Sequence, residues 1–243
     1  MDILLLRTWH VKRALKRIAP LLPSDALILD AGSGLGQYTW RMSRMNQKWR
    51  IKAVDISNEQ TAESREFFRK AGLEGRVELQ ILDLTCLNDK NCYNLILSVD
   101  VMEHIRDDEQ VFLNFYNAMR PGGYLLISTP SDKGGSDVRD HEGESFIDEH
   151  VRNGYGIAEI ANKLTNAGFN DINARYTYGK AGSLSWRLSM KYPVKMLNVS
   201  YLFFILLPFY YLVFFPLSLI LNTFDLILNH DTGTGLLVIA RKK

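Results

Sequence analysis

The sequence predicts an α/β fold in which a mainly parallel sheet carries helices on both faces. Two observations support this prediction. Apolar runs of strand length alternate with stretches of helical periodicity, and a glycine-rich turn joins the first apolar run to the first of these stretches. Strands separated by helices run parallel, and such sheets bind ligands at the carboxyl ends of their strands. The 243 residues, 47% of them hydrophobic, suit one substantial core.

The glycine-rich turn predicts a cofactor site. Residues 27–29 form an apolar strand and residues 37–45 an amphipathic helix, with Asp30 directly after the strand. Glycines let the chain bend tightly and let a bulky ligand approach backbone N–H groups that a Cβ would shield. The turn holds three of them at alternate positions: Gly32, Gly34 and Gly36.

The next predicted strand narrows the kind of cofactor. Residues 51–55 end in the carboxylate of Asp55, about 20 residues after the turn, as in βαβ cofactor sites. We expect Asp55 to accept hydrogen bonds from two ribose hydroxyls. A dinucleotide fingerprint needs its last glycine one residue later than Gly36, where this chain has Gln37. The spacing therefore favours a nucleotide-like cofactor other than a dinucleotide.

Further motifs follow in order within residues 25–180. Two more predicted strands end at acidic residues, and the second is followed by a Glu-His pair and then by a Pro-Gly-Gly turn into a fifth strand. The segments are 77–84, 93–100, Val101-Met102-Glu103-His104-Ile105 and Arg120-Pro121-Gly122-Gly123-Tyr124.

These motifs resemble those of the class I S-adenosylmethionine-dependent methyltransferases, in the small-molecule branch that includes the quinone-biosynthesis enzymes. The resemblance implies a Rossmann-like, seven-stranded sheet and S-adenosylmethionine as cofactor. It also implies that Asp83 accepts a hydrogen bond from the adenine amine beside an apolar wall. The implied cofactor contacts are Asp30, Gly32, Gly34, Gly36, Asp55, Ile56, Asp83, Leu84, Val99 and Asp100.

A hydrophobic helical insertion is expected before the last strand. Residues 196–224 form 29 consecutive positions without a charged side chain and with nine aromatic ones, long enough for a transmembrane helix. Residues 171–178 and 235–240 are predicted strands of one sheet, so a segment that enters a membrane between them must return. Pro208 and Pro216 would break or kink a helix there. We therefore expect a re-entrant or interfacial helical hairpin.

Basic residues accompany this insertion. Arg187, Lys191 and Lys195 recur every four residues and would line one helical face. The first 20 residues show a second basic amphipathic pattern, typical of an interfacial helix, with packing on the core as the alternative. For the insertion, the alternatives to membrane contact are a lid that buries its aromatic side chains and a dimer interface.

The expected organisation has four parts. An N-terminal helix (1–20) precedes the cofactor-binding core (21–179), and the insertion (180–231) separates this core from its last strand (232–243). Membrane contact is expected through residues 184–229.

Three histidines are candidate catalytic bases. Methyl transfer from a sulfonium mainly requires alignment and exclusion of water, but a hydroxyl or carbon acceptor must also lose a proton. Histidine has a suitable pKa for that task. His150 is preferred because the segment around it resembles one in small-molecule methyltransferases, and a purely structural role is the alternative for each histidine. Tyr38 and Tyr155 are candidate pocket contacts. The three candidate bases are His104, His141 and His150.

One grouping of acidic and histidine side chains suggests a metal site as an alternative. Asp100, Glu103 and His104 form an acidic-His grouping similar to that of quinone-biosynthesis O-methyltransferases, where glutamate replaces Asp100. Glu103 and His104 are adjacent, so their side chains diverge in a regular loop. We therefore expect no metal, with Glu103 orienting the loop and His104 facing the acceptor.

The expected function is methyl transfer to an O or C atom of a lipophilic small molecule, such as a quinone precursor or a phenolic or polyene lipid. The net charge of +2 gives no reason to expect nucleic acid. Two cysteines, Cys86 and Cys92, and no apparent signal sequence favour a cytoplasmic protein, peripheral or monotopic on the inner face of the cell membrane. The alternatives are a soluble methyltransferase with a closed lid, and a non-catalytic, membrane-tethered cofactor-binding scaffold. Homodimer formation is left open.

Overall fold

The computed structural model describes residues 5–134 and 151–243. The strands of this part are β1 (Leu27–Ala31), β2 (Arg50–Asp55), β3 (Val77–Ile81), β4 (Tyr93–Val99), β5 (Met119–Pro130), β6 (Asn170–Thr177) and β7 (Gly235–Arg241). Its α-helices are α1 (Leu6–Ile18), α2 (Gln37–Met45), α3 (Asn58–Lys70), α4 (Asp108–Ala118), α5 (Ile157–Asn166), α6 (Lys180–Trp186), α7 (Tyr192–Val199) and α8 (Leu207–Ile227).

The strands form one sheet in the order β3-β2-β1-β4-β5-β7-β6. Both neighbours of β7 pair with it antiparallel, whereas the other four pairs are parallel. The predicted Rossmann-like, seven-stranded, mainly parallel sheet is therefore confirmed. The order reverses between β1 and β4, which is where open α/β sheets form a ligand crevice at their carboxyl edge.

Helices bury both faces of the sheet. On one face, the core includes Phe112 and Phe115 of α4 and Leu164 of α5. On the other face, the core includes Leu15 of α1 and Met42 of α2. These two layers hold the strand ends in fixed positions, so that the loops at the carboxyl edge are carried by a rigid platform.

The N-terminal helix packs on the core. The apolar side of α1 is buried among the sheet residues, including Val11, Ala14 and Ile18. Lys16 and Arg17 in its last turn are exposed. Core packing therefore accounts for the apolar side of this helix, and the two basic residues of its last turn remain at the surface.

The insertion is a helical hairpin, here called the apolar hairpin (residues 180–227). Its first arm comprises α6, a π-helical turn over Arg187–Lys191, and α7; its second arm is α8. Ser200 is extended and its side chain accepts a hydrogen bond from Leu202 N, which starts the turn between the arms. The arms are joined by hydrogen bonds, among them Ser185 Oγ to Ser218 O at 3.1 Å.

The expected effect of the two prolines is partly wrong. Pro208 lies in the first turn of α8, where the missing N–H has no intrahelical partner to lose. Pro216 lies inside α8, yet the helix continues to Ile227. The reversal of the chain is made by Ser200 and the following 3₁₀ turn (Tyr201–Ile205) rather than by a proline.

The polarity of the apolar hairpin is inverted relative to a helix in water. Its turn presents apolar side chains to solvent, with Tyr201 89% and Leu202 76% exposed. Between the arms, α8 contributes polar side chains that are fully buried: Ser218, Asn222 and Asp225. Among the described residues, α8 is long and apolar enough to cross a membrane, and only 11% of its most apolar window is buried.

Candidate functional site

A cavity of about 910 Å³ lies along the carboxyl ends of β1 to β4. Its size falls in the range of cofactor and substrate pockets. Of the ten expected cofactor contacts, eight line this cavity and two do not. The eight are Gly32, Gly34, Asp55, Ile56, Asp83, Leu84, Val99 and Asp100.

The backbone N–H groups of the glycine turn donate to acceptors within the protein, most of them on the neighbouring strand β2. Gly32 N and Ser33 N both donate to Val54 O, at 2.8 and 2.9 Å, and Gly36 N donates to Ser33 O. Gly34 N donates to Oδ2 of Asp55 at 2.7 Å. These four N–H groups therefore have partners within the protein, and the glycines serve mainly to shape the turn and to keep it clear.

Two of these glycines are required by conformation and by space. Gly32 has a φ of +78°, and a Cβ there would lie 2.1 Å from Cγ2 of Val101. Gly36 also has a φ of +78°, and its Cβ would lie 2.7 Å from the ring of Phe68. A positive φ is strained for residues with a Cβ, so both positions exclude other residues on two grounds.

Asp55 is positioned to bind and to organise the turn. Its Oδ2 accepts from Gly34 N, and its Oδ1 accepts from Ser57 N at 2.9 Å. A carboxylate oxygen has more than one acceptor position, so each oxygen can also receive a hydroxyl from the cavity. The half-buried side chain lines the cavity, as expected for a ribose-binding residue.

The carboxyl end of β3 forms another wall. Oδ1 of Asp83 accepts from the backbone and the hydroxyl of Thr85, at 2.9 and 2.8 Å, whereas Oδ2 takes part in neither bond. Leu84 is buried beside it, and Ile56 is 73% exposed at the cavity border. An acceptor next to apolar side chains is the arrangement expected for binding an adenine ring.

Arg7 is a cavity residue that the sequence pattern did not reveal. It lies in the first turn of α1, and its guanidinium pairs with the carboxylate of Asp100. Its backbone N–H donates to the hydroxyl of Tyr178 at 2.9 Å, directly after β6. The sequence assigned Arg7 only to a basic amphipathic pattern, and the contact with Asp100 spans 93 positions, so no local signal could have identified it.

Asp30 lies beneath the turn and does not line the cavity. It is buried, and Oδ2 accepts from the hydroxyl of Thr39 at 2.5 Å. Burial raises the pKa of Asp30 to about 6, although the Thr39 hydrogen bond opposes this effect. Because Thr39 belongs to α2, Asp30 joins the end of β1 to the helix that follows the turn. Gly36 does not line the cavity either, and it directly precedes the first residue of α2.

Of the three candidate bases, only His104 is within the described residues. It lines the cavity and is half-buried. His141 and His150 lie outside the residues that the structure describes. Tyr38 lines the cavity, is 6% exposed, and its hydroxyl has no hydrogen-bond partner in the described part of the chain. Tyr155 is fully buried and donates to Asp108 Oδ2 at 2.7 Å, so it belongs to the core.

The acidic-His grouping does not converge on one point. Asp100 pairs with Arg7, whereas buried Glu103 accepts from the hydroxyl of Thr129 at 3.0 Å. Burial raises the pKa of Glu103. Within residues 5–134 and 151–243, no group of three potential metal ligands occurs. The backbone oxygen of Glu103 accepts a hydrogen bond from Val151 N. Together with the Thr129 bond, this contact fixes the position of the segment that carries His104.

Comparison with known proteins defines the class. Residues 7–174 match the methyltransferase domain family, and the chain belongs to this family. A solved structure of Haemonchus contortus phosphoethanolamine N-methyltransferase 2 in complex with S-adenosyl-L-methionine superimposes with a TM-score of 0.68 at 20% identity. The match covers 96% of this chain and 52% of that one. The predicted family is confirmed, and S-adenosylmethionine is the cofactor of that family, as predicted.

Sequence relatives act on diverse molecules. The chain is 32% identical over 122 residues to a tRNA U34 carboxymethyltransferase of Cellvibrio japonicus, covering 50% of this chain and 37% of that protein. It is 23% identical over 157 residues to a ubiquinone biosynthesis O-methyltransferase of Xanthomonas axonopodis, covering 62% and 65%. The expected similarity to quinone-biosynthesis enzymes is therefore present but distant. The chain spans about a third of the length of the tRNA enzyme and of several plant phosphoethanolamine N-methyltransferases.

Proposed function

We propose that the protein transfers a methyl group from S-adenosylmethionine to an O or C atom of a lipophilic small molecule at a membrane surface. One observation carries the proposal: the apolar hairpin leaves the sheet at the edge where the cavity opens. In the sheet, Thr177 of β6 and Pro130 of β5 both pair with Gly235 of β7, so the hairpin joins the carboxyl edge. An acceptor dissolved in lipid would thus arrive beside the cofactor cavity.

The residues at the cavity fit S-adenosylmethionine. Asp55 offers acceptor positions for a ribose, and Asp83 with Leu84 and Ile56 offers a polar edge and apolar walls for adenine. The hydroxyl of Tyr38, which has no hydrogen-bond partner among the residues that the structure describes, offers a further place for a polar ligand group. The cofactor supplies a methyl group that is already activated by its sulfonium.

In this scheme the protein supplies alignment and proton removal. The cavity walls hold donor and acceptor and exclude water, which is the main requirement for an in-line displacement. His104 is the described candidate for accepting a proton from a hydroxyl or carbon acceptor. Arg7, paired with Asp100, forms part of the cavity wall and binds Tyr178 shortly before the first helix of the hairpin.

The hairpin supports membrane contact through its exposed side chains. Phe204, Phe209 and Phe224 are 70%, 68% and 54% exposed, so the alternative of a lid that buries its aromatic side chains does not match this arrangement. Exposed apolar surface of this extent is costly in water and is typical of an interface with lipid or protein. We place the protein on the cytoplasmic face of the cell membrane, as a peripheral or monotopic enzyme.

The acceptor class can be tested by following the methyl group. Purified protein would be incubated with a cell extract and S-adenosylmethionine labelled in its methyl group, and the products divided between organic solvent and water. We expect label in the organic phase. Label in water-soluble products or in the RNA fraction would contradict the lipophilic acceptor.

Two variants serve as controls for this assay. His104→Gln should lower the labelling rate by roughly a hundredfold or more, the usual contribution of a positioned base, while S-adenosylmethionine binding stays unchanged. Lys48→Gln alters an exposed residue outside the cavity lining and should leave the rate within a fewfold of wild type. If the wild type binds the cofactor but labels nothing, the non-catalytic scaffold becomes the better interpretation.

A further inference from the structure

The exposed apolar side chains of α8 form a stripe along the whole helix. Apart from one adjacent pair, successive members are three or four residues apart, so they lie on one helical face, and each is between 40% and 76% exposed. Ser218, Asn222 and Asp225 lie on the opposite face and are fully buried against the first arm. The members of the stripe are Phe209, Leu212, Val213, Leu217, Ile220, Phe224 and Ile227.

The first arm carries the cations of the hairpin. From Lys180 to Phe224 there is no acidic residue, and every charged side chain is basic. The cations occur at intervals along the arm rather than at its base: Lys180, Arg187, Lys191 and Lys195. Lys195 is exposed and lies only five residues before Ser200, where the chain turns.

These two patterns decide between two orientations in a membrane. If the hairpin entered upright, turn first, immersing the stripe as far as Ile227 would carry Arg187, Lys191 and Lys195 into hydrocarbon. Charged side chains are strongly disfavoured there unless they reach the head groups. If the hairpin lies flat, the whole stripe is immersed to one depth and the cations stay level with the head groups.

We propose that the apolar hairpin lies in the plane of an anionic phospholipid leaflet, with the α8 stripe among the acyl chains and the basic first arm at the head groups. This inference rests on the proposed membrane function and adds the orientation and the lipid charge. The hydrogen bonds between the arms agree with it, because polar and small side chains hold helices together where the surroundings are apolar. Ser185 Oγ donates to Ser218 O, and the hydroxyls of Tyr210 and Tyr211 donate to backbone oxygens of the first arm.

Depth measurements test the orientation. Single cysteines would replace Phe209, Ile220 and Ile227 in a Cys86→Ser, Cys92→Ser background and carry a fluorophore whose quenching by lipid-attached nitroxides reports depth. A flat hairpin places the three labels at similar depth. An upright hairpin spreads them over about 27 Å, since 18 residues of helix separate Phe209 from Ile227. A label at Asp25→Cys, before β1, should remain in water.

Binding measurements test the lipid charge. Flotation would compare vesicles of phosphatidylcholine alone with vesicles that also contain phosphatidylglycerol. Lys195→Gln should weaken binding to the anionic vesicles about fivefold and leave binding to the neutral ones unchanged. Lys48→Gln, an exposed lysine after α2, is the matched control and should change neither. Equal effects of the two variants would overturn the electrostatic part of the inference.

The outcomes separate this inference from the proposed function. If the wild type binds neither kind of vesicle, or if light scattering shows a dimer whose formation alone protects the three labels, the proposed membrane function fails. If it binds and the label depths are graded along α8, membrane function stands and the flat orientation is overturned. Similar depths with Lys195-dependent binding support both.

Discussion

Nε2 of His10 lies 2.9 Å from Oδ1 of Asp225, and this buried contact joins α1 to α8. Nδ1 of the same ring lies 3.5 Å from a guanidinium nitrogen of Arg175. A guanidinium has only donors, so Nδ1 acts as the acceptor and Nε2 carries the proton toward Asp225. Asp225 also accepts from Tyr178 N and Gly182 N, so one carboxylate connects the hairpin base to the core.

This contact predicts a loss of stability on acidification. Burial lowers the pKa of His10, although the bond with Asp225 opposes this effect. The unfolded chain therefore binds a proton at His10 more readily, and stability falls as the pH drops through the unfolded pKa near 6.5. Between pH 7.5 and 5.5, urea denaturation should show the stability of the wild type falling relative to that of His10→Gln. His104→Gln is the control; an identical pH profile for His10→Gln and wild type would contradict the prediction.

Both a steric clash and a positive φ require glycine at position 32, and the two effects can be measured separately. Gly32→Ala adds a Cβ 2.1 Å from Val101 Cγ2 at a φ of +78°, and we expect a loss of about 2–5 kcal/mol. Gly72→Ala, at a φ of +67° with no atom within 4 Å of its Cβ, should lose only about 1–2 kcal/mol. Thermal or urea unfolding would compare them.

A double variant completes that comparison. Val101→Ala removes the clashing methyl group, so Gly32→Ala should cost less in its presence than in wild type. If the cost of Gly32→Ala is the same in both backgrounds, the clash with Val101 is not what requires glycine here.

Asp55 predicts a joint effect on the turn and on the cofactor. Asp55→Ala removes the acceptors of Gly34 N and Ser57 N as well as those offered to a ribose. We expect S-adenosylmethionine to bind tenfold to a hundredfold more weakly, or about 1.4–3 kcal/mol, by titration calorimetry. Glu59→Gln, in the first turn of α3, is the control. Unchanged affinity in Asp55→Ala would remove Asp55 from the binding site.

We expect the buried carboxylate of Asp30 to lower the free energy of unfolding at neutral pH. Its pKa is raised by burial from 3.8 to about 6, so the folded state resists ionisation and loses stability as the pH rises from about 4 to 6. Asp30→Asn keeps an acceptor for Thr39 and should be more stable than wild type above pH 6, by roughly 3 kcal/mol at most. At pH 4 the two should be nearly equal.

The control for this experiment is Asp25→Asn, an exposed carboxylate in the turn before β1. Urea denaturation at several pH values would measure each difference in free energy of unfolding. A stability difference between Asp30→Asn and wild type that does not change with pH would contradict the prediction.

Much of the fold was predictable because its signals are local. The helix over residues 37–45 was predicted with the boundaries that α2 has, since a glycine precedes it and apolar positions recur at helical spacing. The strands were predicted to within two residues because buried parallel strands are short apolar runs, except at the start of β5. The predicted Pro-Gly-Gly turn before this strand is wrong: β5 begins at Met119, and residues 120–123 form an irregularity within it where the register with β4 shifts. The effect of Pro216 was not predictable in this way, because the continuity of α8 depends on contacts with the first arm.

The same distinction between local signals and tertiary contacts applies to the residues of the site. Asp55 and Asp83 end strands, so their positions follow from sequence order and from the rule that ligands bind at the carboxyl edge. Arg7 enters the cavity only because α1 packs across the sheet, and Asp30 leaves the cavity wall only because Thr39 binds it from α2.

The sequence alone determined the class of fold, the kind of cofactor and the presence of an apolar insertion. Each of these depends on the types and spacing of residues within a few tens of positions. The tertiary structure decided which side chains of that insertion face outward and which polar groups close its interior. Those outcomes depend on contacts between residues far apart in the chain, such as His10 with Asp225, and no local pattern encodes them.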